Sequence, residues 1–351
     1  MDYQKQIHQK QIQRLYAQID KMPIFCNSFF QYYIGTLNRT ASTMLGYAGD
    51  IIDFFEWMIF VNPNIKKIKD IGLSDINKLT PYDIQEYMSY LQYHEDKEKI
   101  VQCDAATRAR HLAALRAFFQ YYFDFSDELM SNPAKVIGSP KLRKKEQNRL
   151  DKQGLHKIIE NAVMTENIPQ KTKYYREKSS ERDAAIITLL GSTGIRVSEL
   201  VGINMDDIDW EQKGIHIIRK GEKEQTIYFG EYVEDTLKEY ISDERQKLDP
   251  DNKEAALFLG SRGKEHHRLT TRSVERLVNL YGSYITIKAV TPHTLRRTFG
   301  TAYYEECKDL YAVADALGHE NIQVTKDHYA NISENRRKEV RGFSDKLLDT
   351  E

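Results

Sequence analysis

A chain of 351 residues, 40% hydrophobic and 29% charged, is long enough for two cores and too apolar to remain disordered. Its formal net charge of −1 departs from the strongly basic balance of many DNA-binding domains, so any contact with phosphates needs a local basic face. No apolar run approaches the roughly 20 residues needed to span a bilayer, and the opening Met-Asp-Tyr-Gln-Lys lacks a signal-peptide core.

These bounds predict a cytoplasmic protein with no membrane partner. Cys26, Cys103 and Cys307 stand apart, so neither a disulfide framework nor a structural zinc site is expected. In chain order, residues 2–21 carry an imperfect helical stripe of Ile7, Ile12, Leu15 and Ile19. A second helix is predicted over 40–60, and a third begins with Thr80 as cap and Pro81 at its first position. A fourth, over 105–123, buries Leu112, Leu115, Phe118, Phe119 and Tyr122. Its other side carries Arg108, Arg110, His111 and Arg116 and is the candidate for a DNA groove.

Ser131-Asn-Pro133 and Gly138-Ser-Pro140 then punctuate the chain. The run from Lys135 to Lys152 concentrates Lys141, Arg143, Lys144, Lys145 and Arg149 against only Glu146 and Asp151. Either a phosphate-binding strap or a solvated linker fits this stretch. The expected division is a helical domain over 1–132, a basic linker over 133–150 and a second domain over 151–351.

In the second domain, 150–162 reads as a helix and 164–180 as a surface excursion. Ser180-x-x-Asp183 resembles a capping box for the apolar helix 184–190. That helix leads into Thr193-Gly-Ile-Arg196, which places Arg196 at a helix start, where N–H groups and the helix dipole favour an anion. Residues 207–210 are a short strand and 215–229 a hairpin whose polar turn presents Lys220, with Arg219 and Lys223 as competitors. Glu265-His266-His267 lacks partners at ligand spacing and is expected in a surface loop, with no metal.

Thr291 and Pro292 open the next helix, with His293 and Arg296 on one face and Arg297 beside them. Residues 309–317 form another helix, closed by Gly318, which delivers His319. A short helical stretch then carries Tyr329, ten residues after His319, with His328 adjacent. The chain closes with Val340, Phe343, Leu347 and Leu348 at helical spacing. Arginines, histidines and a tyrosine in one region are chemistry for a phosphate: arginine binds the charge, histidine moves protons and tyrosine can attack.

The order Arg196, Lys220, His293-x-x-Arg296, His319, Tyr329, with its flanking residues, resembles the tyrosine recombinase/integrase family over roughly residues 150–332. The resemblance implies a mainly α protein: a SAM-like helical-bundle core-binding domain, then a mainly helical catalytic domain with a small antiparallel sheet. By the same resemblance Arg196 and Arg296 clamp the scissile phosphate, His319 hydrogen-bonds it, His293 serves the tyrosine as acid/base, and Lys220 protonates the leaving oxygen. Tyr329 is the nucleophile, and Glu199 holds the site in shape. Arg108, Arg110, Arg116, Lys141, Arg143, Lys144 and Lys145 are the expected DNA contacts. The family needs no ATP, metal or other cofactor, because the phosphotyrosine stores the energy of the broken bond.

Four subunits are implied on two double-stranded DNA sites, with the C-terminal helix docking on a neighbour. The long N-terminal helix, the insertion over 164–180 and the Ser-Glu-Arg-Asp183 entry resemble the Xer type of single-protein chromosome-dimer resolvase. That subtype implies the DNA translocase FtsK as partner and a nucleoid-associated, cytoplasmic location. An integrase of a phage or transposable element would share every catalytic position. From a different class, a sequence-specific DNA-binding protein that has lost catalysis is opposed by the intact set, and a metal-dependent nuclease would need clustered carboxylates.

Overall fold

The structure, a computed structural model, describes residues 3–96, 99–127, 129–142, 148–164, 179–219, 223–262, 265–286, 288–319, 321–323 and 325–326. Expectations for Arg143, Lys144, Lys145, most of the 164–180 excursion, Lys220, His328, Tyr329 and the stripe Val340, Phe343, Leu347 and Leu348 lie outside these residues. The chain is mainly helical and divides into two compact units, Met1–Lys145 and Glu146–Glu351. No helix among the described residues is long and apolar enough to cross a membrane.

The first unit comprises α1 (Tyr3–Ile19), α2 (Cys26–Gln31), α3 (Ala41–Val61), α4 (Leu73–Asn77), α5 (Pro81–Gln92), the strands β1 (His94–Asp96) and β2 (Lys99–Val101), and α6 (Ala105–Phe125). Caps set several boundaries. Thr40 Oγ1 accepts from the Thr43 N–H, 3.3 Å away, and the Asp83 carboxylate accepts from the Thr80 N–H at 2.7 Å. The core is aromatic: Phe29, Phe54, Phe55, Phe118 and Phe119 are fully buried, with Phe29 and Phe118 edge-on at 5.5 Å between ring centres.

His111 departs from the expected basic face of α6. It is 2% exposed, its Nδ1 lying 3.0 Å from the Tyr87 hydroxyl and its Nε2 3.2 Å from Asp50. The 3.6-residue period turns position 111 inward beside Leu112 and Leu115, and the buried carboxylate gives the imidazole a polar partner there. Burial pushes Asp50 up to about 6 and His111 down to about 4.

The second unit contains α7 (Lys152–Met164), α8 (Ser180–Thr193), α9 (Val197–Leu200), the strands β3 (Ile208–Asp209), β4 (Gly214–Ile218) and β5 (Glu224–Tyr228), and α10 (Glu231–Tyr240). These are followed by β6 (Leu259–Arg262), β7 (Glu265–Arg268), α11 (Thr271–Ser283), α12 (Pro292–Cys307) and α13 (Leu310–Leu317). α8 is buried on every side from Asp183 to Gly191 and packs against α7, α10 and α12, as a central helix must. The strands β3, β4 and β5 form one antiparallel sheet, Ile215 pairing with Ile208 and Ile227.

Two local expectations change here. Ser180 is the first residue of α8 rather than its cap, a position that falls to Ser179, and Asp183 faces inward. That carboxylate is fully buried and accepts from the Arg182 guanidinium at 2.8 Å and from the Tyr281 hydroxyl at 3.2 Å. An inward-facing carboxylate takes the donors packed against it. Glu265-His266-His267 belongs to β7, paired with β6, and is not a loop. Charged and polar side chains suit a short two-stranded ribbon as well as they suit a loop, so composition did not separate the two.

Candidate active site

The site is assembled from two left-handed helix ends. α8 stops at Gly194 (φ +62°) and α13 at Gly318 (φ +59°), a conformation that glycine adopts without a Cβ penalty. A Cβ on Gly194 would come within 2.5 Å of the Phe299 ring and 2.9 Å of Leu317, so the α8 end sits directly against α12 and α13. Two residues beyond Gly194 the chain turns into α9 with Arg196 as its N-cap.

Glu199, buried on α9, returns to this turn. Its carboxylate accepts from the Arg196 backbone N–H at 2.9 Å and from Nη1 at 2.8 Å. The expected anion-binding N–H of Arg196 is therefore already taken by Glu199. The guanidinium, in contrast, is about a third exposed and held in a fixed orientation, its Nη2 donating 2.8 Å to the Gly318 carbonyl.

α12 begins as expected, with Thr291 Oγ1 accepting from the Thr294 N–H at 3.2 Å and Pro292 in the first turn. From its second turn onward it buries Thr298, Gly300 and Tyr304, which fixes the rotation of the helix. Arg296 is consequently 5% exposed, while His293, three residues earlier, is exposed. Arg296 donates through Nη1 to the Gly194 carbonyl and through Nη2 to the Leu317 carbonyl, stitching the two helix ends together. His319 follows Gly318. Its N–H bonds the Ala314 carbonyl at 2.9 Å, and its Nδ1 lies 2.8 Å from the hydroxyl of the buried Thr325.

Two residues that sequence reasoning passed over complete this pattern. Arg219, weighed only as a rival to Lys220, is 8% exposed and donates through Nη2 to the Ala316 carbonyl at 3.0 Å. Gln225 on β5 reaches the Asp315 carbonyl at 3.3 Å. The carbonyls of residues 315 to 318 are thus each met by a different side chain: Gln225, Arg219, Arg296 and Arg196. The negative end of α13 gathers guanidinium charge at one spot, as the helix dipole favours. A signal for Arg219 existed, because strand alternation puts it on the face of Ile215 and Ile217, which are buried while His216 and Ile218 are exposed.

This arrangement brings Arg196, Glu199, Arg296 and His319 together, with His293 one helical turn from Arg296. Fixed guanidinium donors beside a histidine suit the binding of a phosphodiester and the charge it gathers in a transition state. Lys220 and Tyr329 lie outside the described residues. Among the described residues, the group spaced to hold a metal ion is Asp50, Asp53 and His111 in the first unit, where Arg110 already pairs with Asp50 at 3.0 Å.

The expected DNA contacts of the first unit are scattered. Lys141 is exposed. Arg110 pairs with Asp50, and Arg108 donates to Gln92 at 2.8 Å. Arg116 is engaged with the Ala134 carbonyl at 3.2 Å, the Ser139 hydroxyl at 2.9 Å and the Ile137 carbonyl, so its guanidinium holds the 134–139 segment on α6.

Known proteins resemble this chain in sequence and fold. Residues 148–336 match the Phage integrase family, and residues 26–124 match the phage integrase N-terminal SAM-like domain. The tyrosine recombinase XerC of Thermodesulfovibrio yellowstonii is 30% identical over 293 residues, 82% of this chain and 85% of that protein. The tyrosine recombinase XerS of Streptococcus pyogenes is 27% identical, covering 90% of this chain and 94% of its own length. The fold is similar to that of the XerH site-specific recombinase bound to palindromic difH substrate in a post-cleavage complex. That likeness has a TM-score of 0.62 at 19% identity, over 83% of this chain and 77% of that one. With its family match spanning more than half of the sequence, the chain belongs to the phage integrase family of tyrosine recombinases.

Proposed function

We propose that the protein is a site-specific DNA recombinase that cleaves and rejoins DNA through a 3′-phosphotyrosine link. The observation that carries this reading is the convergence of Arg196 and Arg296 on the Leu317–Gly318 turn, directly before His319. The phenol of Tyr329, with a reference pKa of about 10, gives its proton to His293 as its oxygen attacks phosphorus. Arg196 and Arg296 neutralise the non-bridging oxygens and His319 donates to one of them. The bond to the 5′-oxygen breaks and Lys220 supplies that oxygen's proton. A 5′-hydroxyl from the partner strand reverses the sequence, so neither nucleotide nor metal is consumed.

In this reading residues 1–132 and the catalytic residues 151–351 both bind the DNA, and the basic stretch 133–150 links them in sequence. Four subunits act on two sites, with the C-terminal helix on a neighbouring subunit. The biological role is chromosome dimer resolution, in the cytoplasm at the nucleoid with an FtsK-type translocase, supported by similarity to XerC and XerS over most of each protein. Trapping adducts on genomic DNA and sequencing them tests both levels. Adducts absent in Tyr329→Phe and concentrated at one chromosomal locus support the role. Adducts at the ends of a mobile element would make it that element's integrase.

A further inference from the structure

Arg219 is an unusual arginine for a protein interior. It directly follows β4, and its N–H bonds the Lys223 carbonyl at 2.8 Å across the hairpin. Its side chain runs to the far end of α13 and rests on Gly318, where any Cβ would fall inside the guanidinium. Gly318 therefore answers two demands, a left-handed backbone and room for Arg219.

Buried arginines elsewhere in this unit are satisfied. Arg245, 1% exposed, uses Nε, Nη1 and Nη2 on the Ala256 and Glu254 carbonyls and the Asn252 amide oxygen. Arg219 makes one such bond, and its Nε and Nη1 have no hydrogen-bond partner among the described residues. It also lies close enough to Arg196 for their charges to oppose one another, with Glu199 and Asp315 as the compensating anions. A side chain kept for stability alone would not retain two unsatisfied donors beside a like charge. What the contact does achieve is placement. Together with Gln225 on Asp315, it fastens both strands of the hairpin to the turn that ends in His319.

We propose that Arg219 is a positioning residue: it docks the β4–β5 hairpin on the C-terminal turn of α13 and thereby supports the general-acid step assigned to Lys220. The inference rests on the reading of Lys220 as general acid. It assigns to Arg219 no contact with DNA, because its unpartnered nitrogens are buried.

The test compares covalent adduct formation on a natural substrate and on one with sulfur in place of the bridging 5′-oxygen. A thiolate leaves without a proton, so sulfur corrects a defect in general acid catalysis and no other. Arg219→Met should slow adduct formation on the oxygen substrate by at least tenfold and recover most of it on sulfur, as Lys220→Ala does. Gln225→Ala should show the same pattern more weakly, and it carries the test if Arg219→Met fails to fold. Wild-type rates for Arg219→Met on oxygen, or equal loss on both substrates while Lys220→Ala recovers, overturn the inference. Should Lys220→Ala itself gain nothing from sulfur, the general-acid reading fails instead, and the inference goes with it.

Discussion

The Nη2 of Arg196 lies 2.8 Å from the carbonyl oxygen of Gly318, across 122 positions of sequence. The bond joins the end of the α8 turn to the end of α13, and Arg296 makes the reciprocal connection from α12 to Gly194 and Leu317. Backbone carbonyls orient both guanidiniums, and the buried Glu199 carboxylate adds a second hold on Arg196. Preorganised donors of this kind need no rearrangement when charge develops on a phosphate.

Arg296→Lys should cost at least about 10²-fold in cleavage, on the scale of removing one transition-state donor. A lysine cannot span both the Gly194 and Leu317 carbonyls while also facing a phosphate in two places. Arg297→Lys, on a half-buried neighbour, should cost far less. Single-turnover cleavage of a nicked substrate measures both. Equal damage would mean that the register of α12 does not single out position 296.

Gly194→Ala should lower stability by roughly 2 kcal/mol or more, combining a left-handed alanine with a Cβ 2.5 Å from the Phe299 ring. Thermal unfolding and adduct formation should fail together, because the displaced Gly194 carbonyl is the acceptor for Arg296. A variant as stable and active as wild type would show that the turn can relax without moving the arginine.

Much of this was legible in the sequence where a single local rule acted alone. Thr40, Thr80 and Thr291 mark helix starts, and Gly318 a helix end, because caps depend on their immediate neighbours. Arg196, Arg296 and His319 were picked out by spacing and family resemblance, and the structure brings them to one turn. What stayed hidden depends on distant packing. Asp183 looked like a cap but faces Tyr281, ninety-eight positions away, and His111 looked like surface but faces Asp50. The β6–β7 ribbon carries no apolar alternation to announce it, whereas α11 was simply passed over: Val274, Leu277, Val278 and Tyr281 recur at helical spacing behind the Thr270 cap. Arg219 was visible as an inward strand position, yet no local rule says that a buried arginine will be met by the last carbonyls of a helix ninety-seven residues on.

Salt should separate two kinds of basic residue in the first unit. Each phosphate neutralised contributes a slope of about −0.9 in log K against log salt. Replacing Lys141, Arg143, Lys144 and Lys145 together should flatten the slope of DNA binding without changing which sequence is preferred. Arg116→Met should instead lower thermal stability and leave the slope nearly unchanged, because its guanidinium is committed to the 134–139 segment. Fluorescence anisotropy over a salt series distinguishes them. An unchanged slope in the fourfold variant would reduce the basic run to a spacer.

Glu244 is 8% exposed, and burial, only partly offset by the Arg182 guanidinium, pushes its carboxyl up to about 7. Glu181 beside it is raised to about 6, first by burial and then by its hydrogen bond with Asp243. A folded-state pKa above the unfolded value means that the folded protein holds its proton more tightly. The resulting stability is present in full below the ordinary carboxylate range and is lost as pH rises through about 7. Between pH 6 and pH 8 the Glu244 share should be about 1 kcal/mol, or a fall of about 3 °C in Tm for a unit of this size. Glu244→Gln keeps an oxygen for the Arg182 N–H, which donates to Glu244 at 3.0 Å, and removes the charge. The variant should therefore lose little at pH 6, gain relative to wild type at pH 8, and flatten the Tm profile between them. Calorimetry of the full chain at both pH values decides it: a variant whose profile falls as steeply as wild type would assign the pH dependence to other groups.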